Sequence, residues 1–565
     1  MHATLFKPPS LAAQVATLLQ TVAELRADVA SLRQENSELR RQVAELKCEV
    51  GYWKSRHADV VRKNIQLQAE LDQAHAEIRQ LKAERFGKQS EKQSKADRSN
   101  ELADPQATLS PIPKKKRGQQ PNQPAPKRRD HSHLPTREAV VDVSDQAKLC
   151  ACCGKPFAAL DCENDSEQLE IETVVYRQVT RRRRYRRTCE CKSQPTTIIA
   201  PLPPKLLPKS NIGTSIWVHL LLEKFQLQRP THRTLEQLRM LGLNLSASTV
   251  ASGLQRLEPL FTPIYKAIRE RHLQANYFHA DETRWRVFVA KAGKTGHLWW
   301  LWMFASDDAV VFVLDPSRSH DVPQAHFAGL TAEQFHALMV DRYAGYKAML
   351  QVKNGILVLA FCWAHVRRDF VRVGKGFPEL MPWSLAWLGR IRELYRLNRE
   401  RLKHTTDSPK FSAADKHLRE HVEMMREQCE SELADDKLRE PCRKALSSLQ
   451  DHWSGLTLFV NDPRLPLDNN RGERHIRNPA VGRKNYYGSG AEWSGRLAMM
   501  LFSIFATLAI WKINPLAWLT AYLTACADNG GRPPENLNDF LPWTMPENRR
   551  AEMSSAARQA GDNSS

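Results

Sequence analysis

Three acidic residues far apart in the sequence have surroundings that could support chemistry on phosphate groups. Asp281 follows a short hydrophobic run, Asp341 follows the apolar run 338–340, and Glu473 lies where a helix is predicted to begin. Carboxylate oxygens are the ligands that Mg²⁺ and Mn²⁺ prefer. Two such ions can activate a water molecule or a 3′-hydroxyl and stabilise the leaving oxygen of a phosphodiester. The sequence therefore predicts that Asp281, Asp341 and Glu473 hold two catalytic Mg²⁺ or Mn²⁺ ions.

The predicted helix start at Glu473 is surrounded by positive charge. Asn470 as N-cap and Glu473 at the third helical position approximate a capping box. Taken alone, Glu473 would only complement the helix dipole. The neighbouring basic residues favour a DNA-binding role, in which they contact backbone phosphates. These residues are Arg474, Arg477, Arg483 and Lys484.

The acids lie within motifs that together resemble those of the IS66 family of bacterial insertion-sequence transposases. The motifs are Phe278-His279-Ala280-Asp281-Glu282-Thr283, Val340-Asp341-Arg342-Tyr343-Ala344-Gly345-Tyr346, Cys362-Trp363-Ala364-His365, Asp468-Asn469-Asn470-Arg471-Gly472-Glu473-Arg474 and Gly482-Arg483-Lys484-Asn485. The resemblance implies an RNase H-like α/β core with an Asp-Asp-Glu triad. It also implies cleavage of double-stranded DNA at element ends, strand transfer into target DNA, a zinc-binding domain, and small accessory proteins of the same element.

Cys362 and His365 lie between the second and third acids of the predicted triad. A Cys-x-x-His pair can bind a metal, but a single pair is an incomplete ligand set. We therefore expect a structural role beside the active site. The core is predicted over residues 275–493, with an all-α insertion at about 370–460 that is helix-patterned, charged and poor in glycine.

Composition limits the class of protein. A chain of 565 residues suggests three or four domains, and a formal charge of +20 with a pI near 9.5 favours a nucleic-acid partner. The 11 cysteines are too few for a disulfide scaffold in a chain of this length. No signal-peptide pattern opens the sequence, and the apolar run 497–511 is short for a bilayer span. These features predict a cytoplasmic protein that has no membrane segment, and the resemblance implies that it is bacterial and associated with the nucleoid.

Residues 15–81 repeat apolar side chains every seven positions, within a predicted coiled coil over 11–86. The first position of the repeat holds Val15, Val22, Val29 and Asn36, and the fourth holds Leu18, Leu25, Leu32 and Leu39. Branched residues paired with leucine in this way, with one polar Asn36, are typical of a parallel two-stranded coiled coil. The sequence therefore predicts a homodimer, and the alternative is a single helix folded against its own chain.

A polar linker and a cysteine-rich region follow. Residues 87–136 are rich in Ser, Gln, Pro and Lys and predict a basic disordered linker. Residues 137–200 predict a zinc ribbon, with strand-like stretches at 168–175 and 178–187. The proposed Zn²⁺ ligands are Cys150, Cys153, Cys189 and Cys191, with Cys152 or Cys162 as substitutes. Reduced cysteines without a metal are the alternative. Three arginines on the second stretch are candidates for phosphate contact: Arg182, Arg184 and Arg186.

The remaining segments are predicted to be helical. Residues 205–274 have a helix–turn–helix cadence, in which Gly242 ends one helix and Ser246 caps the next, although any antiparallel helix pair reads similarly. A C-terminal helical segment is expected over 494–547 and a disordered tail over 548–565. The fold class is thus multidomain, α and α/β.

Three functions besides a transposase remain open at this point. A non-mobile RNase H-like nuclease would use the same acids, and only the family resemblance separates it from a transposase. A catalytically inactive DNA-binding relict would keep the zipper, the cysteines and the basic runs but would not need the acids. A zipper-based scaffold protein would need neither zinc nor acids.

Overall fold

The structure is a computed structural model that describes residues 11–86, 142, 144–158, 168–188, 193, 195–290 and 296–561. The chain divides into two compact units. One comprises residues 1–88, 180–240 and 244–565, and the other comprises residues 89–179 and 241–243. The linker predicted over 87–136 lies outside the described residues.

The larger unit is built on a mixed six-stranded sheet. Its strands are β3 (Tyr277–Val287), β4 (Leu298–Ala305), β5 (Val310–Asp315), β6 (His336–Val340), β7 (Leu357–Phe361) and β8 (Gly488–Ser489). The strand order is β5-β4-β3-β6-β7, and β8 pairs with the far end of β3. Strands β3, β6 and β7 are parallel, whereas β4 is antiparallel to both of its neighbours. The long strand β3 is therefore the centre of the sheet.

Helices before the sheet form the region predicted to bind DNA. They are α2 (Thr214–Phe225), α3 (Thr231–Met240), α4 (Ala247–Leu257) and α5 (Thr262–Leu273). Gly242 has a φ of +87°, which favours glycine after a helix end. Ser246 accepts a hydrogen bond from the Thr249 amide and so caps α4, as the sequence predicts.

Helices within and beyond the sheet complete the unit. Short helices α6 (Asp321–His326), α7 (Ala344–Ala348) and α8 (Leu350–Lys353) lie between strands. The segment between β7 and Glu473 is all helical, as its composition predicts. Its helices are α9 (Trp363–Gly376), α10 (Met381–Arg401), α11 (Pro409–Leu433), α12 (Glu440–Asp451), α13 (Trp453–Leu456) and α14 (Leu458–Asn461). The chain then forms α15 (Asn470–Tyr486), α16 (Glu492–Ile510) and α17 (Pro515–Asp528).

Helix α16 covers the edge strand β5. Ser503 accepts a hydrogen bond from the Phe312 amide at 2.8 Å, and Thr507 accepts one from the Val310 amide at 3.0 Å. These hydroxyls satisfy edge amides that would otherwise be open to another strand. By length and composition α16 could cross a membrane, but most of it is buried inside the protein, which is typical of a core helix.

The N-terminal helix contacts helix α9 but leaves its apolar repeat exposed. Helix α1 (Leu11–Phe86) is one continuous helix of 76 residues. The apolar side chains of its seven-residue repeat are exposed, with Leu18 at 64%, Leu25 at 61% and Leu32 at 62%.

Two sequence predictions about secondary structure need correction. Residues 168–183 contain no strand, and only β1 (Arg184–Arg186) forms there, paired antiparallel with β2 (Thr197–Ile199). The C-terminal tail predicted to be disordered begins as helix α18 (Glu547–Gly561). Its first half is held by tertiary contacts, since Met553 is buried and its carbonyl accepts a hydrogen bond from the Asn514 amide at 3.0 Å.

Candidate active site

The register of the sheet places Asp281 beside Asp341. Strands β3 and β6 are paired in parallel through His279 and Met339, and each aspartate follows its strand's last paired residue by two positions. Residues equivalent in register on neighbouring parallel strands point to the same face. Asp281 lies within its strand, because β3 continues beyond it as a partner of β4. The site therefore lies where the parallel pairing of β3 and β6 ends.

Backbone amides orient both aspartates. The Glu282 amide donates to Oδ1 of Asp281 at 2.8 Å, and the Tyr343 amide donates to Oδ1 of Asp341 at 3.0 Å. Each bond fixes one carboxylate oxygen, which leaves the other oxygen of each carboxylate available to an incoming cation.

The electrostatics of Asp281 show that negative charge accumulates here. Burial and, to a lesser degree, the nearby charges of Glu282, Asp341 and Glu473 together raise the pKa of Asp281 to about 8. The hydrogen bond from the Glu282 backbone amide opposes this rise. The three predicted acids therefore influence one another across distant parts of the sequence. A group of hard oxygen donors with excess negative charge fits divalent Mg²⁺ or Mn²⁺.

Asn469 holds the third acid near the sheet. Its side-chain amide donates to the Ala280 carbonyl at 2.8 Å, and its Oδ1 lies 2.8 Å from Nδ1 of His279. Helix α15 consequently starts at Asn470 with Asn469 as N-cap, and this cap makes no side-chain bond to the helix. The predicted capping box with Asn470 as N-cap is wrong, because the asparagine that precedes the helix uses its side chain for the sheet instead.

Glu473 contacts the start of helix α9. Its Oε2 accepts a hydrogen bond from Nη2 of Arg368 at 3.0 Å, and its Oε1 lies 3.8 Å from Nε2 of His365. Cys362 precedes α9, and its Sγ accepts the Asn469 amide at 3.1 Å. Potential ligand atoms of Cys362, His365 and Glu473 all lie within 4.8 Å of one another. The Cys362 and His365 pair is thus adjacent to the predicted third acid.

The basic residues of α15 have different environments. Arg474, Arg477 and Lys484 are exposed. Arg483 is half-buried, and its Nη1 donates to the Thr283 hydroxyl and the Arg284 carbonyl, both at 2.9 Å. Arg483 therefore ties α15 to β3.

The far end of α15 is held by the loop between α2 and α3. The Tyr486 hydroxyl donates to Oε1 of Gln228 and the Asn485 side chain donates to the Gln228 carbonyl, both at 2.8 Å. Gln228 is buried with a φ of +56°. These contacts, together with those of Asn469 and Arg483, fix the helix that carries Glu473.

The cysteine-rich region forms a tight turn. The Gly154 amide donates to the Cys150 carbonyl at 2.8 Å, and Gly154 has a φ of +70°. Hydrogen bonds from the backbone amides of Cys152 and Cys153 lower the pKa of the Cys150 thiol. Stabilised thiolates of this kind suit metal coordination. Cys162, Cys189 and Cys191 lie outside the described residues.

The predicted arginine face of β1 is partly engaged within the protein. Arg184 and Arg186 are exposed, whereas Arg182 is half-buried and donates to the Ala200 carbonyl at 3.2 Å.

Several residues near the triad were not predicted from the sequence. Glu282, Arg318 and Tyr346 form a hydrogen-bonded group beside Asp281. Glu282 could have been found from its position next to Asp281 in a predicted strand. Arg318 carries no such signal, because only the fold brings it to β3.

Comparisons with known proteins agree with the motifs. The family model for IS66 transposases matches residues 209–497, which is more than half of the chain. The uncharacterized protein y4hP of Sinorhizobium fredii (strain NBRC 101917 / NGR234) is 26% identical over 437 residues, covering 72% of this chain and 75% of that protein. The uncharacterized protein y4jD of the same strain is 26% identical, covering 73% of this chain and 80% of that protein.

A solved structure is also similar to part of the chain. The Mos1 transposase paired-end complex with left transposon end covers 45% of this chain and 79% of its own, at 12% identity and a TM-score of 0.12. At that TM-score the similarity supports no conclusion about this chain. The family match and the motifs around the three acids do, and the chain belongs to the IS66 family of transposases.

Proposed function

We propose that this chain binds the ends of its insertion sequence and catalyses DNA strand cleavage and strand transfer at a site formed by Asp281, Asp341 and Glu473. The observation that carries the proposal is the register that brings Asp281 beside Asp341, with Glu473 close enough to raise the pKa of Asp281. The strand order β5-β4-β3-β6-β7, with two antiparallel strands followed by parallel ones, supports an RNase H-like core.

The three carboxylates would hold two Mg²⁺ or Mn²⁺ ions. When bound, such ions activate the attacking hydroxyl and neutralise charge that develops on the leaving oxygen. The amides of Glu282 and Tyr343 keep Asp281 and Asp341 in fixed orientations. Arg368 and Asn469 set the position of Glu473 and its helix. A preorganised set of ligands loses little free energy in reorganisation when the DNA arrives.

Exposed arginine and lysine side chains would bind the DNA backbone. Arg474, Arg477 and Lys484 follow Glu473 along α15 and are exposed. Arg184 and Arg186 on β1 are also exposed. Phosphate contacts of this kind position DNA without reading its sequence. Arg483 and Arg182 make internal hydrogen bonds, so we assign them mainly to holding α15 and β1 in place.

Zinc would stabilise the cysteine-rich region. The turn at Cys150 and Cys153 supplies two thiols with a lowered pKa at Cys150. Cys189 and Cys191 remain the proposed second pair. Zinc content measured on purified protein should fall on Cys150→Ser, and Cys152→Ser tests whether the exposed Cys152 is a substitute ligand.

Helix α1 would form a parallel homodimer. The leucines and valines of its repeat are exposed in a single copy of the helix. A second, parallel copy would bury them in the seam between the two helices. Leu25→Glu should convert the dimer to a monomer in light scattering of the full chain. Ala27→Glu, on the opposite side of the repeat, should leave it dimeric.

Strand cleavage and joining test the catalytic proposal. The substrate is a labelled duplex carrying the element's own terminal sequence, with Mg²⁺ or Mn²⁺. Glu473→Gln should reduce product formation by more than 100-fold while DNA binding is retained, because removing one charged ligand disables metal-dependent chemistry. Glu492→Gln is the matched control, since Glu492 is an exposed acid in the first turn of another helix, α16.

The same assay separates the alternatives. Cleavage that depends on Glu473 but never yields joined strands would favour a non-mobile nuclease. Binding without cleavage by the wild type, even with the accessory proteins added, would favour an inactive DNA-binding relict. Equal products from wild type and Glu473→Gln would remove Glu473 from the mechanism.

A further inference from the structure

A group of side chains beside the catalytic acids holds one arginine in a fixed position. We call it the Arg318 cluster, and it consists of Arg318, Glu282, Trp300, Tyr343 and Tyr346. Nε and Nη2 of Arg318 donate to Oε1 of Glu282 at 3.0 and 2.6 Å. The Tyr346 hydroxyl donates to the other oxygen of Glu282 at 2.9 Å. The Glu282 side chain is only 3% exposed, so the anchor of the arginine is buried.

Two aromatic rings fix the plane of the guanidinium group. Its central carbon lies 4.7 Å from the centre of the Trp300 ring and 4.1 Å from that of Tyr343. The Tyr343 hydroxyl also donates to the Arg318 carbonyl at 2.7 Å. An arginine stacked in this way loses little further rotamer freedom when it binds an anion.

One edge of the guanidinium remains available. The Arg318 side chain is 40% exposed, and its Nη1 has no acceptor within the described part of the chain. Nη1 and the second hydrogen of Nη2 can therefore donate to a ligand. The ligand should be an anion, because guanidinium groups pair best with carboxylates and phosphates.

The cluster is connected to both catalytic aspartates. Glu282 anchors Arg318 by its carboxylate and orients Asp281 by its backbone amide. Tyr343 stacks on Arg318 by its ring and orients Asp341 by its backbone amide. The position of the available guanidinium edge is therefore coupled to the positions of the two carboxylates through single residues.

We propose that Arg318 is a positioning residue that binds one phosphate group of the DNA strand next to the scissile phosphodiester. This inference rests on the proposed function of the triad. A purely structural role would explain why the buried charge of Glu282 has a positive partner. It would not explain why two aromatic rings pack against the guanidinium group of that partner while one edge of the group stays open. Asp281, Asp341 and Glu473 repel a polyanion, and a rigid positive group beside them offsets this repulsion at a defined point.

The test combines protein variants with single neutral phosphates. Methylphosphonate groups replace phosphates one at a time in a labelled duplex that carries the element's terminal sequence. Binding is measured by fluorescence anisotropy without added Mg²⁺ or Mn²⁺ and without a chelator, so that no strand is cut and bound zinc is kept. The variant is Arg318→Met combined with Glu282→Gln, which removes both charges and leaves no buried acid unpaired. Arg284→Ala is the matched control, because Arg284 also lies near Trp300 but is exposed and has no buried carboxylate anchor.

Wild-type binding should weaken about 10-fold at one methylphosphonate position near the element end, as expected for loss of a charge-assisted contact. The double variant should show less than about a 2-fold change at that position and a smaller salt dependence on the unmodified duplex. Arg284→Ala should keep the wild-type profile across positions. Identical profiles for wild type and the double variant would overturn the proposal.

A second measurement separates this inference from the proposed function. Arg318→Lys retains the charge but not the planar stack or the paired donors, so cleavage with Mg²⁺ should show a raised KM and a kcat lowered by about 10-fold. If the wild type cuts no substrate, the proposed catalysis fails, whereas the binding profile measured without Mg²⁺ or Mn²⁺ still decides the role of Arg318. Unchanged kinetic constants for Arg318→Lys, with a wild-type binding profile, would contradict a positioning role.

Discussion

Buried charged side chains have opposite surroundings in the helical insertion and at the edge of the sheet that holds Asp281 and Asp341. We call this edge the catalytic edge. In the insertion, Arg401 is fully buried and donates to Asp415, to Asn398 and to the carbonyls of Phe459 and Val460. At the sheet edge, Asp281 is surrounded by further acids, and its pKa is raised to about 8. The insertion therefore pairs its buried charge internally, whereas the edge that holds Asp281 and Asp341 brings acids together so closely that the pKa of Asp281 is raised.

The largest effect is expected when the buried charge of the insertion loses its partner. Arg401→Met should lower the free energy of unfolding by about 3–5 kcal/mol, because Asp415 and several buried acceptors lose a partner. Urea unfolding followed by tryptophan fluorescence measures the change. Arg419 also binds Asp415 but is half exposed, so Arg419→Met should cost less than about 1 kcal/mol. Equal costs for the two variants would contradict the contrast.

Metal addition should act only at the catalytic edge. Saturating Mg²⁺ or Mn²⁺ should raise the melting temperature, since binding at about 100 times Kd contributes about 2.7 kcal/mol to stability. Asp281→Asn should abolish most of this increase, and Asp307→Asn, which changes an exposed acid, should keep it. An equal increase in both variants would place the ions elsewhere.

The stability of the metal-free protein should depend on pH through Asp281. The ordinary pKa of an aspartate is 3.8 and that of folded Asp281 is about 8. The folded state thus binds the extra proton, and the stability from this group is present below about pH 4 and lost as the pH rises through about 8. Asp281→Asn should therefore raise the metal-free stability at pH 9 by on the order of 2 kcal/mol. A melting temperature with the same pH slope in wild type and variant would refute this.

Asp462, which follows helix α14 and contacts Tyr277 of β3, should show a pH effect of opposite sign and smaller size. The Arg464 side chain, and to a lesser degree the Tyr277 hydroxyl, lower the pKa of Asp462 to about 2. Its contribution is present above about pH 4 and lost as the pH falls through about 2. Because Arg464 is largely exposed, Asp462→Asn should cost only about 1 kcal/mol at pH 7, and the difference should vanish in acid.

The sequence could predict the acids and the element types, but not how the elements pair. Asp281 and Asp341 follow apolar runs that are recognisable as strands, and Glu473 does lie in the first turn of a helix. The capping box failed because Asn469 binds His279 and Ala280, a contact across the fold that local preferences do not contain. Arg318 reaches Glu282 for the same kind of reason, since only the sheet brings the two together.

The position of Asn469 also has a consequence for synthesis of the chain on the ribosome. This residue joins helix α15 to strand β3 and lies after the whole helical insertion in the sequence. A nascent chain can pair β3 with β6 early, but it cannot bring Glu473 to the aspartates until the insertion and α15 have left the ribosome. If the proposed function is correct, cleavage activity is gained late in translation, and fragments truncated before Asn469 carry helices α2 to α5 without the complete triad.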